Sequence, residues 1–169
     1  MRHIIAILLQ NEAGALTRVA GMFSSRGYNI ESLSVAPTDE ATVSRLTLVT
    51  SGPDSVIQQI VNQLNKLVDV VHVEDMTLGE HLERELVLVK LRVDAAKRDT
   101  VRGYVVRTGG RVLDPASESF IVELLGSEAE INGFIGELAA HGELVEVVRS
   151  GALGLSRSAH ALRLVEPVS

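Results

Sequence analysis

One pattern of apolar runs occurs twice along this chain, the copies offset by about 75 residues, and few folds accept such a sequence. In the first copy His3 to Leu9 is almost continuously apolar, the signature of a central strand covered by helices. Leu16, Val19, Ala20 and Phe23 then form one stripe of an amphipathic helix from about Gly14 to Arg26, with Gly27 as its left-handed stop. Tyr28 to Val35 reads as a second strand whose alternation changes phase near Glu31 and Ser32, which predicts a bulge, and Pro37 ends it at a sheet edge. Ser44 to Thr50 alternates and makes a hairpin partner across Thr38 to Ala41. Pro53 is suited to the first position of a second helix, with Asp54 in its first turn and Ile57, Ile60, Val61 and Leu64 as its buried stripe. Val68 to Met76 is a closing strand rich in β-branched residues.

The second copy has the same order. Thr77 to Leu82 is polar and holds a glycine, as a linker would, and Glu83 to Val93 alternates as a strand. Ala95 to Arg107 is a weaker helix with Val101, Tyr104 and Val105 on one side, stopped by Gly109 and Gly110. Arg111 to Leu113 and Ser119 to Leu125 form a hairpin around Pro115. Ser127 and Glu130 have capping-box spacing, and Ile131, Phe134, Ile135 and Leu138 follow at helical intervals. Gly142 ends that helix before a last strand, Leu144 to Val148. The reading is α+β, two tandem ferredoxin-like βαββαβ domains over 1–78 and 79–150, with a tail over 151–169. The tail leucines, Leu153, Leu155, Leu162 and Leu164, have little left to cover in a finished domain, so the tail is expected either to fray or to dock on a partner.

Composition narrows the function. With no cysteine, neither disulfides nor thiolate metal sites are available, which suits a reducing cytoplasm. A net charge of −6, no basic stripe and 3% aromatic residues argue against nucleic acid as a partner. The apolar run at the N terminus stops at Leu9, too short for a membrane span and without a signal-peptide layout. His3, His72, His81, His141 and His160 show no i, i+4 ligand pair, and no nucleophile elbow, phosphate loop or dinucleotide fingerprint occurs; RTGGRV lacks the third glycine. Nothing in the chain has a catalytic pattern, and no metal or cofactor of its own is expected.

The turn into the first helix is the candidate site. The first free N–H groups of that helix, around Gly14, Ala15 and Leu16, carry the positive end of the helix dipole. Gly14 has no Cβ, so a ligand carboxylate could approach the backbone, and Asn11 offers an acceptor and a donor beside it. The same residues also suit a plain role, Asn11 as helix cap and Gly14 as relief for a tight turn.

The run NEAGALTRVAGMFSSRGYNIESLSVAPT, then SRLTLVT, QLNKLVDVVHVED, HLERELVLVKLRV and RSGALGLSR, resembles the regulatory small subunits of acetolactate synthase (acetohydroxyacid synthase), whose first domain is an ACT domain. The resemblance is weakest from Ala95 to Asn132. It implies a subunit without catalytic residues, in branched-chain amino-acid (valine, isoleucine, leucine) biosynthesis in the cytoplasm. Its partner would be a large subunit carrying thiamine diphosphate, FAD and magnesium, which condenses two 2-oxo acids. This chain would activate that subunit and confer feedback inhibition, with L-valine the expected effector and isoleucine and leucine not separable from it. The resemblance also implies a homodimer of ACT domains joined through edge strands. Asn11, Gly14, Ala15 and Leu16 of one chain would then face Asn29 and Ile30 of the other across the effector. The alternative is a free-standing amino-acid sensor, or a regulator of another enzyme. A transcription regulator would need a helix-turn-helix that has no place in the chain.

Overall fold

A computed structural model of the chain describes residues 1–115 and 120–164. Two compact units result, Met1–Leu82 with the tail from Ala152, and Glu83–Gly151.

In the first unit β1 (Arg2–Gln10), α1 (Ala15–Ser25), β2 (Ser32–Pro37), β3 (Val43–Ser51), α2 (Asp54–Leu64) and β4 (Val70–Asp75) follow in chain order. The sheet runs β2-β3-β1-β4 with every neighbour antiparallel, the split βαβ arrangement. Residues two apart on a strand share a face, so Ile5, Ile7 and Leu9 turn to one side of β1 and pack with Val19, Phe23, Ile57, Ile60 and Leu64. Pro53, expected as the first helical residue, stands just outside α2 in an extended conformation (φ −66°, ψ 149°), so the helix starts one residue later, at Asp54. His3 is only 2% exposed and lies 3.4 Å from both Asp54 and Asp75. It stands where the starts of β1 and α2 meet the end of β4, and neither ring nitrogen has a hydrogen-bond partner among the described residues.

Two details of this unit differ from the sequence reading. The second strand starts at Ser32, not Tyr28, because Tyr28 leaves the sheet to set its ring edge-on to Phe23, with centroids 6.2 Å apart. The core stripe of α1 is Ala15, Val19, Met22 and Phe23, so Leu16 stands outside it at 37% exposure.

The tail gives a third difference. A sheet with both helices on one side leaves the other side bare, and here Ile4, Ala6, Val49 and Met76 form an apolar patch on it. The tail covers that patch: Ala152 is buried in it and Leu162 packs against it. The Ala152 N–H donates to Ser32 Oγ at 2.9 Å, Arg45 Nη2 to the Gly154 carbonyl at 2.8 Å, and the Arg157 N–H to the Glu80 carbonyl at 2.8 Å. Gly154, in β9 (Leu153–Ser156), sits so tightly that a Cβ there would lie 2.3 Å from Met76 Cε and 2.9 Å from Ile4 Cδ1. Leu153 and Leu155 point away and are exposed.

The second unit repeats the order with β5 (His81–Arg92), a 3-10 turn at Ala95–Lys97, α3 (Arg98–Arg107), β6 (Arg111–Asp114), β7 (Phe120–Gly126), α4 (Glu128–His141) and β8 (Glu143–Arg149). Strand order is β6-β7-β5-β8, again antiparallel throughout. Since β5 begins at His81, the expected linker is confined to Thr77–Glu80. The part of the expected hairpin between Pro115 and Phe120 lies outside the described residues. Its core joins Val87, Val89 and Leu91 to Val101, Val105, Ile131, Phe134 and Leu138. The capping box forms as spaced: Ser127 Oγ accepts from the Glu130 N–H at 3.4 Å and Glu130 Oε2 accepts from the Ser127 N–H at 2.7 Å. Those bonds hold the Glu130 carboxyl below its usual pKa. Among the described residues no helix is long and apolar enough to cross a membrane.

Candidate functional site

The turn from β1 into α1 opens on a cavity of about 280 Å³ lined by Leu9, Asn11, Ala15, Leu16, Val35 and Pro37, with Gln10, Glu12, Ala36 and Ser44 completing it. Its position follows from three local causes. Gly14 takes φ 90°, a left-handed conformation that glycine adopts without strain, and so swings the chain from strand to helix in few residues. No side chain caps α1 and the Ala15 N–H donates to the Glu12 carbonyl at 3.3 Å, which leaves the Leu16 and Thr17 N–H groups of the first turn for another acceptor. Leu16, displaced from the core stripe, forms an apolar wall opposite Val35 of the edge strand, itself 42% exposed.

Asn11 does not cap the helix. Its backbone N–H donates to the Thr42 carbonyl at 2.7 Å and its side-chain Nδ2 to the Ala41 carbonyl at 3.0 Å, which ties the end of β1 to the β2–β3 turn. That sets the amide beside the cavity with one of its two N–H donors engaged. Asn11, Ala15 and Leu16 are thus brought together within one chain, with Gly14 immediately beside them. Asn29 and Ile30 are not among the lining residues. Ile30 is half-buried against the first core, and the Asn29 carbonyl accepts from Thr50 Oγ1 at 2.6 Å while its side chain is exposed in the α1–β2 loop.

Sequence reasoning missed Arg18 and Asp69. The Arg18 guanidinium grips Asp69 with both arms, Nη2 to Oδ1 at 2.8 Å and Nε to Oδ2, and the Asp69 carbonyl accepts from the Gln10 N–H at 2.8 Å. Asp69 is 4% exposed, and the guanidinium bonded to it holds its carboxyl below the usual carboxylate range while the carboxylate raises Arg18. A Cβ on Gly14 would lie 3.0 Å from Arg18 Nη1, so the guanidinium braces the turn that carries the free N–H groups. The available signal was an arginine one helical turn after the glycine, together with an acid opening an otherwise apolar strand. No histidine, lysine or cysteine lines the cavity. Its groups can orient a small molecule through backbone donors, an amide and an apolar wall. Among the described residues no group of three His, Cys, Asp or Glu is placed to hold a metal ion.

The first unit is a split βαβ domain with an uncapped first helix beside an edge strand, and its residues 5–72 match the family described as the AHAS small subunit-like ACT domain. Residues 84–158 match the small subunit of acetolactate synthase. The chain is 45% identical to the acetolactate synthase isozyme 3 small subunit of Escherichia coli, covering 96% of this chain and 100% of that one. It is 43% identical to the acetolactate synthase small subunit of Haemophilus influenzae, over 93% of this chain and 96% of the other. The crystal structure of the acetolactate synthase small subunit from Thermotoga maritima superposes with a TM-score of 0.83 at 31% identity, over 95% of this chain and 99% of that one. The chain therefore belongs to the acetolactate synthase small-subunit family.

Proposed function

We propose that this chain is a non-catalytic regulatory subunit of an acetolactate synthase, acting in the cytoplasm in branched-chain amino-acid biosynthesis. It binds a separate large subunit, raises the activity of that subunit and renders it inhibitable by L-valine. Thiamine diphosphate, FAD and magnesium belong to the large subunit in this proposal, and this chain holds no cofactor of its own. Family membership supports the subunit role. The observation that carries the effector site is the cavity at the start of α1, small, partly apolar and faced by uncapped backbone donors.

The cavity is half of a site. It opens at the edge strand β2, and Asn29 and Ile30 of the same chain do not reach it. A second copy pairing through that edge would supply them. A ligand held between two copies favours one mutual arrangement, and it can shift the equilibrium by no more than its differential affinity, typically about 1–3 kcal/mol. Residues 1–78 carry the effector-binding domain, and the domain over 79–150 with the tail relays occupancy to the large subunit.

Mixed dimers test this geometry. Asn11→Ala and Asn29→Ala each remove a hydrogen bond to a charged group, costing about 1.5–3 kcal/mol, roughly ten- to a hundredfold in valine affinity at both sites of a homodimer. After subunit exchange between distinctly tagged variants, each mixed dimer has one site with both lesions and one with neither. Calorimetry on the purified mixed dimer is expected to show near wild-type affinity at half the sites. Absence of any tight site would sink the shared-interface arrangement. Gly14 is a poorer position to probe, because any side chain there must adopt φ 90° and press on Arg18.

A further inference from the structure

A cavity of about 430 Å³ lies where the tail crosses the first sheet. Its floor is two cross-strand pairs of β2 and β3, Ser34 with Thr47 and Ala36 with Arg45, and its roof is Leu153, Gly154 and Leu162. Register places Thr47 beside Ala6, so this floor belongs to the sheet face turned away from α1 and α2, and the cavity meets the one at the start of α1 only at Ala36 and Pro37. Three features give it a chemical character. Arg45 is half-buried, and among the described residues no carboxylate forms an ion pair with it; it donates to the Gly154 carbonyl at 2.8 Å. Burial pushes the Arg45 pKa down, only partly opposed by Glu74, so the guanidinium is under-compensated where it stands. The hydroxyls of Ser34 and Thr47 lie in the same wall, the leucines supply an aliphatic side, and Asp39 stands at the rim.

We infer that this cavity is a second small-molecule site, distinct from the one at the start of α1, and that it takes a small aliphatic carboxylate. The guanidinium, with donors beyond the one engaged by Gly154, receives the carboxylate; Ser34 and Thr47 add hydroxyl donors, and the hydrocarbon part lies under Leu162, with Leu153 at the rim. An α-amino acid would set its ammonium towards Asp39, whereas a simple or 2-oxo acid would leave Asp39 in solvent. Because the roof is the tail, occupancy would also hold the tail on its own domain, and a ligand here would bias whether that segment is docked or free.

The test is calorimetry on the full chain with isovalerate as probe. Saturable binding is expected in the wild type, a loss of about tenfold or more in Arg45→Gln, a smaller loss in Ser34→Ala, and no change in Asn11→Ala. Since Arg45 also clasps the tail, hydrogen exchange at the Ala152 amide reports whether the roof stays in place in each variant. Ser34→Ala leaves that clasp intact. Competition by L-valine in the Asn11→Ala background would assign the site to α-amino acids, and lack of competition would assign it to acids without an amino group; both keep the carboxylate assignment. Failure of isovalerate to saturate the wild type would overturn the inference. So would affinity unchanged in Ser34→Ala with a loss in Arg45→Gln that tracks release of the tail, which would leave Arg45 as a clasp alone. Binding lost in Asn11→Ala and retained in Arg45→Gln would place the probe in the other cavity and equally reject the assignment.

Discussion

The end of the first strand and the start of the following helix occupy the same topological place in both repeats, yet they are built differently. In the first repeat this corner holds an uncapped helix start, a glycine in the left-handed region and an apolar wall of Leu16 and Val35. In the second, the cavity beside the end of the first strand, of about 370 Å³, lies on the other side, against the end of α4 and the start of β8, and is lined by Arg92, Asp94, Lys97, His141 and Glu143. Arg92 Nη1 meets Glu143 Oε2 at 2.6 Å, and His141 meets Glu137 at 3.1 Å. Solvated ion pairs there contribute little to stability, but they satisfy part of the charge locally. The two repeats thus differ at this corner: the first recess opens beside the edge strand β2 with Glu12 as its one charged lining residue, while the second is lined largely by charged side chains.

The most severe way to break this contrast is to give the first recess the charge of the second. Leu16→Asp puts a carboxylate in the first turn of α1, where it suits the helix dipole and competes with a ligand carboxylate for the same N–H groups. Valine affinity is expected to fall about a hundredfold, near 2.7 kcal/mol, with the urea midpoint unchanged or slightly raised. Wild-type affinity measured by calorimetry would show that the recess is not where the effector binds.

A second contrast concerns the bare faces of the two sheets. The first is covered by the tail, while the second unit has Leu86, Leu125 and Val148 exposed. Gly154→Val drives a side chain into Met76 and Ile4 and is expected to cost about 1–3 kcal/mol in urea unfolding, with faster exchange at the Ala152 amide. A fragment of residues 1–78 lacks this cover and should melt below the same fragment supplied with the tail. Equal melting temperatures would mean that the tail merely rests on the sheet.

Smaller effects separate the helix starts. Ser127→Ala removes the capping box of α4 and is expected to cost about 1 kcal/mol without altering valine binding, because that helix does not line the recess at the start of α1. The smallest signal is the acid limb of stability. Asp69 has its pKa lowered in the folded state by Arg18, so its contribution is present above its unfolded value of about 4 and is lost as pH falls through the lower folded value. Urea midpoints measured from pH 5 downward should fall less steeply in Asp69→Asn than in the wild type; identical slopes would remove Asp69 from the acid response.

Periodicity alone made the double βαββαβ order legible, because apolar stripes at helical and strand spacing report which face of each element is dry, and two helices per four strands leave few ways to stack them. The capping box and the left-handed Gly27 were equally local, since each depends on residues within one turn. What depends on contacts distant in sequence was decided only by the tertiary structure. Leu16 and Met22 both fit a helical stripe, and only the sheet beneath α1 selects Met22 for the core. Tyr28 reads as a strand residue until Phe23 offers it an edge-on contact. Arg18 finds Asp69 across 51 residues, and Asn11 spends its amide on the β2–β3 turn rather than on the helix. The tail leucines gave no sign of where they go, for the patch of Ile4, Ala6 and Val49 exists only once strands far apart in the chain lie side by side.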